Sequence, residues 1–329
     1  MASALHHRVV AVTGGLGFVG QNLVRTLASA GHEVHVVDVR PEDQLGELPD
    51  GAHYRRADLR DGLQTRAALA DAQLVFHLAG NPSGTVSVVN PRLDFETNAL
   101  GTFNVCEAVR DTGCRLVYLS SAMTYGKPQA FPIAEDHPVA PYYPYAASKL
   151  SGEYTVKAFV ETYGISAAIG RAFVIYGPGE DPRRAGAEVG QYLRWHLNGQ
   201  PIQITGDMDR KTRDFVHVDD IVSGLLLIAA HGVDGQVYNL GSGQETSLRE
   251  LVAAIGMVTG RTPETVVNDD ITEDTYRLVA DVSKLRGLGY EPLVTLESGL
   301  ADVISHLGDS PELPMLDTIF RPAQRETAA

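Results

Sequence analysis

The sequence predicts an α/β fold: a doubly wound parallel sheet followed by a smaller α/β lobe at the C-terminus. Three observations carry this. Short apolar, β-branched runs such as Val9-Val10-Ala11-Val12 and Leu74-Val75-Phe76 lack the alternation of a half-exposed strand, as buried parallel strands do. Helical periodicity intervenes between such runs. After Gly177-Pro178-Gly179 the strands shorten and Gly/Pro turns become frequent, marking a loop-rich second part.

The chain has 329 residues, 44% hydrophobic and 21% charged, enough for one large domain or two modest ones. A net charge of −14 argues against nucleic acid or an anionic membrane as partner. It leaves room for an anionic small molecule wherever cations gather. Cys106 and Cys114 form no metal or redox spacing, so the chain reads as reduced and cytoplasmic. Met1 to His7 lack a signal core, and no apolar run reaches about 18 residues. His6-His7 reads as surface filler rather than a metal site.

Arg8 to Thr13 reads as the first buried strand. It runs through Thr13-Gly14-Gly15-Leu16-Gly17-Phe18-Val19-Gly20 into a helical pattern through Leu23, Val24 and Leu27, stopped at Gly31. Gly14, Gly17 and Gly20 allow a tight turn, close backbone approach to a pyrophosphate, and a helix seated against the strand. The phosphate would lie on the helix N-terminus, where amide donors and dipole both favour it. Strand, triplet and helix in this order point to a dinucleotide on a Rossmann sheet.

The second strand, Glu33 to Val37, delivers Asp38, 24 residues after Gly14. A carboxylate there binds an adenosine ribose and repels a 2′-phosphate, so NAD is expected over NADP. Arg40 softens that preference by offering a cation, and a plain surface acid is the alternative. Asp58, after the run Ala52 to Ala57, stands where a carboxylate reaches an adenine amino group or caps the next helix.

Leu74 to Gly80 reads as a fourth strand, with His77 a satisfied core histidine. A helical pattern from about Asn90 to Arg110 holds Asn98 and Asn104. Arg115 to Ser121 reads as a fifth strand handing two hydroxyls, Ser120 and Ser121, to the cleft. A serine there holds a substrate oxygen, or else serves a turn. Pro141 and Pro144 then break the chain just before the next helix.

On that helix Tyr145 and Lys149, four residues apart, share a face. An ammonium beside a tyrosine in a low-dielectric cleft favours the phenolate. A downward shift of ~3 units from about 10 supplies a base near neutral pH. The same spacing also fits a packed ring beside a solvated stem.

Thr13–Gly20, Asp38, Asp58, His77-Leu78-Ala79-Gly80, Ser120-Ser121 and Tyr145-x-x-x-Lys149 together resemble the extended short-chain dehydrogenase/reductases. More narrowly, the chain is similar to the NAD-dependent nucleotide-sugar epimerase/dehydratase branch, of which UDP-glucose 4-epimerase is typical. The likeness continues in Tyr176-Gly177-Pro178, Arg213 to Asp220, Tyr238 to Gly243 and Ala280 to Lys284. It implies a NAD-binding domain over 1–170, rejoined by about 214–240, and a mainly substrate-binding lobe over 171–329. It implies NAD contacts from Gly14, Gly17, Phe18, Val19, Gly20, Asp38, Asp58, Leu59, Leu78, Ala79, Gly80 and Asn98, with Tyr145 and Lys149. Tyr145, Lys149 and Ser121 are the implied catalytic residues. Ser121, Tyr145, Arg213 and Arg277 are the implied contacts to a nucleoside-diphosphate sugar, the arginines clamping its diphosphate. A homodimer is expected. No metal is, because the His217, Asp219, Asp220 spacing fits helix capping.

Two departures narrow the expectation. Dehydratases and decarboxylases of the branch place an acid after the active-site hydroxyl, whereas Ala122 and Met123 follow Ser121 and transfer no proton. The resemblance then implies NAD-dependent epimerisation at C4 through a transient 4-keto sugar. The alternative is an NAD(P)H-dependent 4-ketoreductase; a dehydratase or a non-catalytic NAD-binding protein fits less well. Val174 stands where the branch commonly has a substrate-binding asparagine, while Tyr142 and Tyr143 are expected to line the sugar pocket. The polar tail from Asp309 to Ala329 is expected to pack on the body or a partner subunit, or to be partly disordered.

Overall fold

In the computed structural model, residues 9–82, 84–182, 188–268, 276–309 and 311–314 are described. The chain opens with β1 (Val9–Thr13), α1 (Phe18–Ser29), β2 (Glu33–Asp38), β3 (Ala52–Arg56), α2 (Gly62–Leu69) and β4 (Leu74–His77). Then come α3 (Gly84–Val89), α4 (Pro91–Phe95) and α5 (Gly101–Thr112), the last two joined by a π-helical turn over Glu96–Leu100. β5 (Arg115–Ser121), α6 (Pro144–Tyr163) and β6 (Ala167–Ala172) follow. The second half holds β7 (Val174–Tyr176), α7 (Glu188–Leu197), β8 (Ile202–Thr205), β9 (Thr212–Arg213), β10 (Phe215–His217), α8 (Val218–His231) and β11 (Val237–Leu240). It closes with β12 (Thr246–Ser247), α9 (Leu248–Thr259), β13 (Thr265–Asn268), β14 (Arg277–Leu278), α10 (Ser283–Arg286) and α11 (Leu296–Leu307).

Seven strands form one parallel sheet in the order β11-β6-β5-β4-β1-β2-β3. The period of two sends successive side chains to opposite faces. Val10 and Val12 pack with Leu23, Val24 and Leu27 of α1 and Leu225 of α8, while Ala11 joins Val105, Val109, Val156 and Phe159 of α5 and α6. Both faces are covered, which is why the strands read as unbroken apolar runs. From β1 the chain moves outward through β2 and β3, then crosses back to β4. The strand order therefore reverses between β1 and β4, and a ligand crevice opens beyond their carboxyl ends.

The second half divides its elements. β11 extends the large sheet beside β6, and α8 packs against α1. The remainder builds three small sheets, β10-β7, β12-β9-β14 and β13-β8, around a separate core of Tyr176, Leu193, Trp195, Ile202, Leu251 and Leu300.

Three expectations shift. The fourth strand stops at His77, because the chain then leans over the glycine loop: Leu78 donates to the Thr13 carbonyl at 3.1 Å and Ala79 to Thr13 Oγ1 at 3.3 Å. The helical pattern from Asn90 is interrupted by the π turn, which carries Asn98. Of the tail, Pro311 and Glu312 are tied to α7 by Asn198 and Arg194; His6, His7 and the chain beyond Pro314 lie outside the described residues. Among the described residues no helix is long and apolar enough to cross a membrane.

Candidate active site

The crevice begins at the glycine loop. Gly14 sits at φ +67°, and a Cβ on it would come within 2.7 Å of the Ala79 nitrogen. A Cβ on Gly20 would collide with the Gly14 carbonyl oxygen. Gly17 is the N-cap of α1, Phe18 and Val19 its first residues, and neither a side-chain cap nor an acid occupies that first turn. The turn's amides and dipole are left to an anion, so the cradle fits a dinucleotide pyrophosphate.

Asp38 ends β2 beside this loop. Its Oδ2 accepts the Leu16 N–H at 3.2 Å and its Oδ1 the Arg40 N–H at 3.3 Å. Arg40 donates to the Leu16 carbonyl at 3.2 Å, and Arg56 is the register partner of Asp38 on β3. An acid and two arginines thus meet at the lip of the loop. Asp58 is clasped by Arg60, at 3.0 Å from Nε and 2.6 Å from Nη2, which holds its carboxyl below the usual range. It does not cap the next helix: α2 begins at Gly62, so the cap falls to Asp61, which accepts from Leu63 and Gln64. Leu59 is buried and its carbonyl accepts Asn104 Nδ2 at 2.7 Å.

The far end of the crevice gathers Gly80, Asn98, Lys149, Ser121 and Tyr145. A Cβ on Gly80 would meet Asn98 Oδ1 at 2.6 Å and Lys149 Nζ at 3.3 Å. α6 starts with Pro144 at its first position, so Tyr145 and Lys149 sit in its opening turns. Tyr145 is partly buried, and Ser121 stands near enough to its hydroxyl to act on it. Burial pushes it up to about 12, Ser121 pulls down and Asp94 pushes up.

Lys149 is engaged by other partners. Its Nζ donates to the Leu119 carbonyl at 3.0 Å and lies 5.2 Å from the centre of the Tyr118 ring. Burial brings Lys149 down to about 8, opposed by Asp94 and Glu153. Burial is the largest influence on the phenol and favours its protonated form.

Of the two serines only Ser121 faces the crevice, where its Oγ accepts the Met123 N–H at 3.2 Å. Strand alternation turns Ser120 the other way, into a buried cluster. There it donates to Glu153 Oε1 at 2.6 Å, and Glu153 receives Arg171 through Nε at 2.8 Å and Nη2 at 2.6 Å. His77 is a core residue, its two ring nitrogens 2.8 Å and 2.9 Å from the hydroxyls of Thr13 and Thr102. Burial, helped by Lys149, depresses it to about 3, so it stays neutral.

A wall of rings leads from Tyr145 toward the second half. Tyr143 stacks on Tyr145 at 6.1 Å between centroids, Tyr142 lies 4.9 Å from Tyr143, and the hydroxyls of Tyr142 and Tyr276 are 3.2 Å apart. Tyr276 in turn covers the Arg213 guanidinium at 4.8 Å. Arg213 is buried, donates to the Tyr276 carbonyl at 2.8 Å and has Glu188 3.5 Å from its Nε.

Arg277 does not join it in a two-arginine clamp. The register Arg277↔Thr212, Leu278↔Arg213 sends the two arginine side chains to opposite faces of β12-β9-β14. Arg277 instead makes a bidentate pair with Glu245, at 2.7 and 2.6 Å, and lies over the Phe131 ring. Val174 is half-buried in β7, its N–H on the Asp214 carbonyl.

His217, Asp219 and Asp302 each bring one ligand-type atom within 4.8 Å of the others. His217 Nδ1 accepts the Asp219 N–H as the N-cap of α8, which leaves the ring proton on Nε2 and no lone pair there for a metal. Asp220 accepts from Leu293 and Val294. Of these residues His217 caps α8, while Asp220 ties the chain before α11 to it.

Sequence reasoning missed Asp94, Asn81 and Ser148, which close around Asn98, and the Glu153–Arg171 pair. Two signals were present: Asp94 stands four residues before Asn98 and Glu153 four after Lys149, each on a shared helical face.

The model of the NAD dependent epimerase/dehydratase family matches residues 10–241. The UDP-glucose 4-epimerase of Mycolicibacterium smegmatis is 34% identical over 302 residues, covering 89% of this chain and 96% of the relative. The crystal structure of the Thermus thermophilus UDP-glucose 4-epimerase in complex with NAD is similar at a TM-score of 0.81 and 31% identity, over 91% of this chain and 98% of that one. A dTDP-glucose 4,6-dehydratase of Streptomyces griseus is 30% identical over 307 residues, covering 89% of this chain and 92% of the relative.

Proposed function

The chain belongs to the NAD dependent epimerase/dehydratase family, and on that premise we propose that it epimerises a nucleoside-diphosphate sugar at C4 through a transient 4-keto sugar. One observation carries the choice. Ser121 stands near enough to Tyr145 to act on its hydroxyl, while Ala122 is buried apolar and Met123 is a thioether. A dehydratase must move a proton to expel water, and neither residue has one to give.

In this reading Ser121 and Tyr145 both address the C4 oxygen. Tyr145 takes its proton as general base, and Ser121 steadies the developing carbonyl oxygen. When bound, oxidised NAD supplies the hydride acceptor for C4 and a positive charge that favours the Tyr145 phenolate. Lys149, packed beside Gly80 and Asn98, holds the nicotinamide ribose. The 4-keto sugar turns over, is reduced on its other face and recovers its proton from Tyr145. Arg213 addresses the diphosphate, and Arg277 stays at the rim unless Glu245 gives way.

The test is isotopic. Purified protein given UDP-glucose without added NADH should yield a product of unchanged mass. Run in deuterated water, that product should carry no carbon-bound deuterium at C4. Loss of one water mass would restore dehydration. Across UDP-, dTDP- and GDP-sugars, turnover confined to 4-keto sugars with added NADH or NADPH would replace epimerisation by ketoreduction.

Asp38 sets the expected cofactor preference. Its carboxylate would repel a 2′-phosphate bound there, although Arg40 and Arg56 flank it. Calorimetric titration of cofactor-free protein should show NAD binding at least about tenfold tighter than NADP, equivalent to one unit of pKa-scale repulsion. Tighter NADP would mean the arginines govern the site.

A homodimer through α4, α5 and α6 is also proposed. Phe95, Phe103 and Tyr154 are 57%, 41% and 57% exposed on these neighbouring helices, a concentration of large apolar side chains uncommon on a monomer. Sedimentation should give twice the chain's mass, with Phe103→Glu shifting it to monomer. A monomeric parent protein would remove the proposal.

A further inference from the structure

Beneath the first turns of α6 lies a closed polar cluster that no step above uses. Asp94 is fully buried. Its Oδ2 accepts the Ser148 hydroxyl at 2.6 Å; its Oδ1 accepts Asn81 Nδ2 at 2.7 Å and Asn98 Nδ2 at 3.1 Å. Asn98 also donates to Ser148 Oγ at 3.0 Å, and its Oδ1 accepts the Asn81 N–H at 2.8 Å. Three segments are locked together: α4 with its π turn, the loop after β4, and α6 between Tyr145 and Lys149.

Burying a carboxylate is costly even when it is hydrogen-bonded, and an asparagine in its place could make the same number of bonds. Its amide would donate to Ser148 Oγ, while the Ser148 hydroxyl turned to the Tyr145 carbonyl 3.0 Å away. What the amide would lack is charge.

We propose that Asp94 is a positioning residue of the reaction, seating the Tyr145–Lys149 turn through Ser148, Asn98 and Asn81 and acting by its negative charge on both groups at once. The proposal rests on the epimerase reading. The neighbouring groups support it. Asp94 raises both the Tyr145 phenol and the Lys149 ammonium toward protonation. Glu153, from α6 itself, raises Lys149. From β5, Ser121 lowers Tyr145 and the neutral Tyr118 ring faces Lys149. His77, from β4, is uncharged.

The sign follows. Asp94→Asn removes a charge that holds protons on both groups, so both release them more readily. In the pH profile of kcat/KM for UDP-glucose, the rising limb reports Tyr145 ionising and the falling limb Lys149 losing its proton. Both should move to lower pH by roughly one unit. A slower enzyme with unmoved limbs, or limbs moved to higher pH, would reduce Asp94 to packing and overturn the proposal.

Should Asp94→Asn not fold, Ser148→Ala carries the test, since it keeps the charge and cuts the tie. Turnover should then fall about tenfold or more with the limbs in place; turnover within about twofold of the parent overturns the proposal. Tyrosinate absorbance of the NAD-loaded protein, minus that of its Tyr145→Phe variant, needs no turnover. Its midpoint should drop by roughly one unit in the Asp94→Asn background. That readout survives if no nucleotide sugar is converted, so failure of the epimerase reading and failure of this proposal are separable. An unchanged midpoint overturns it.

Discussion

Tyr145→Phe should lose at least two orders of magnitude in turnover, the scale of general acid–base catalysis, while NAD binding stays within about twofold. In the proposed mechanism the hydroxyl is the group that, beside Ser121, exchanges a proton with the substrate oxygen. It is distant in the chain from the glycine loop and Asp38, which are proposed to hold the other end of the dinucleotide. Phenylalanine keeps the ring and its stacking on Tyr143, so the fold should survive. Two measurements decide it: steady-state turnover of UDP-glucose and calorimetric NAD affinity. Turnover near that of the parent would end the assignment of Tyr145 as base. Equal loss of turnover and of NAD affinity would make it a cofactor contact instead.

Glu153→Ala should destabilise the fold by about 3–5 kcal/mol, the penalty for stranding one member of a buried ion pair. Glu153 and Arg171 are 1% and 3% exposed, and the guanidinium lies 4.6 Å from the Tyr125 ring with no second carboxylate among its described hydrogen-bond partners. Without Glu153, Arg171 keeps a charge that water cannot reach. Thermal unfolding should begin on the order of 10 °C earlier. Glu153→Leu combined with Arg171→Met should recover most of the loss, because the pair's own desolvation cost disappears with it. A loss under about 1 kcal/mol in Glu153→Ala would show that the site relaxes to admit water. The same variant tests a link to the crevice. Glu153 lies one turn beyond Lys149 and helps to keep that lysine charged, so surviving activity should fail at lower pH than in the parent.

Local pattern was sufficient for part of this molecule. The buried strands, the glycine loop and the Tyr145–Lys149 spacing are each written within a few consecutive residues, by burial on both faces of a sheet or by one turn of helix. Asp61 rather than Asp58 as a cap was also within reach, because the deciding fact is only where the helix starts.

The other features depend on neighbours that the sequence does not put side by side. Ser120 and Ser121 are adjacent, yet one serves a buried ion pair and the other the crevice, as strand alternation and the position of α6 decide. Arg213 and Arg277 share a small sheet but not a face, because register rather than motif directs them, and Glu245 then claims Arg277. Burial, a property of the whole surrounding fold, raises the Tyr145 phenol, while the lysine four residues on donates to the Leu119 carbonyl. Asp94 and Ser148 are 54 residues apart and meet only because α4 packs beside α6. What the sequence determined by itself was which residues form the strands, the glycine loop and the helix that carries Tyr145 and Lys149, since those depend on backbone period and local sterics. Which charges surround that pair was decided by tertiary packing alone, because electrostatic environment is set by distance in space and by the exclusion of water.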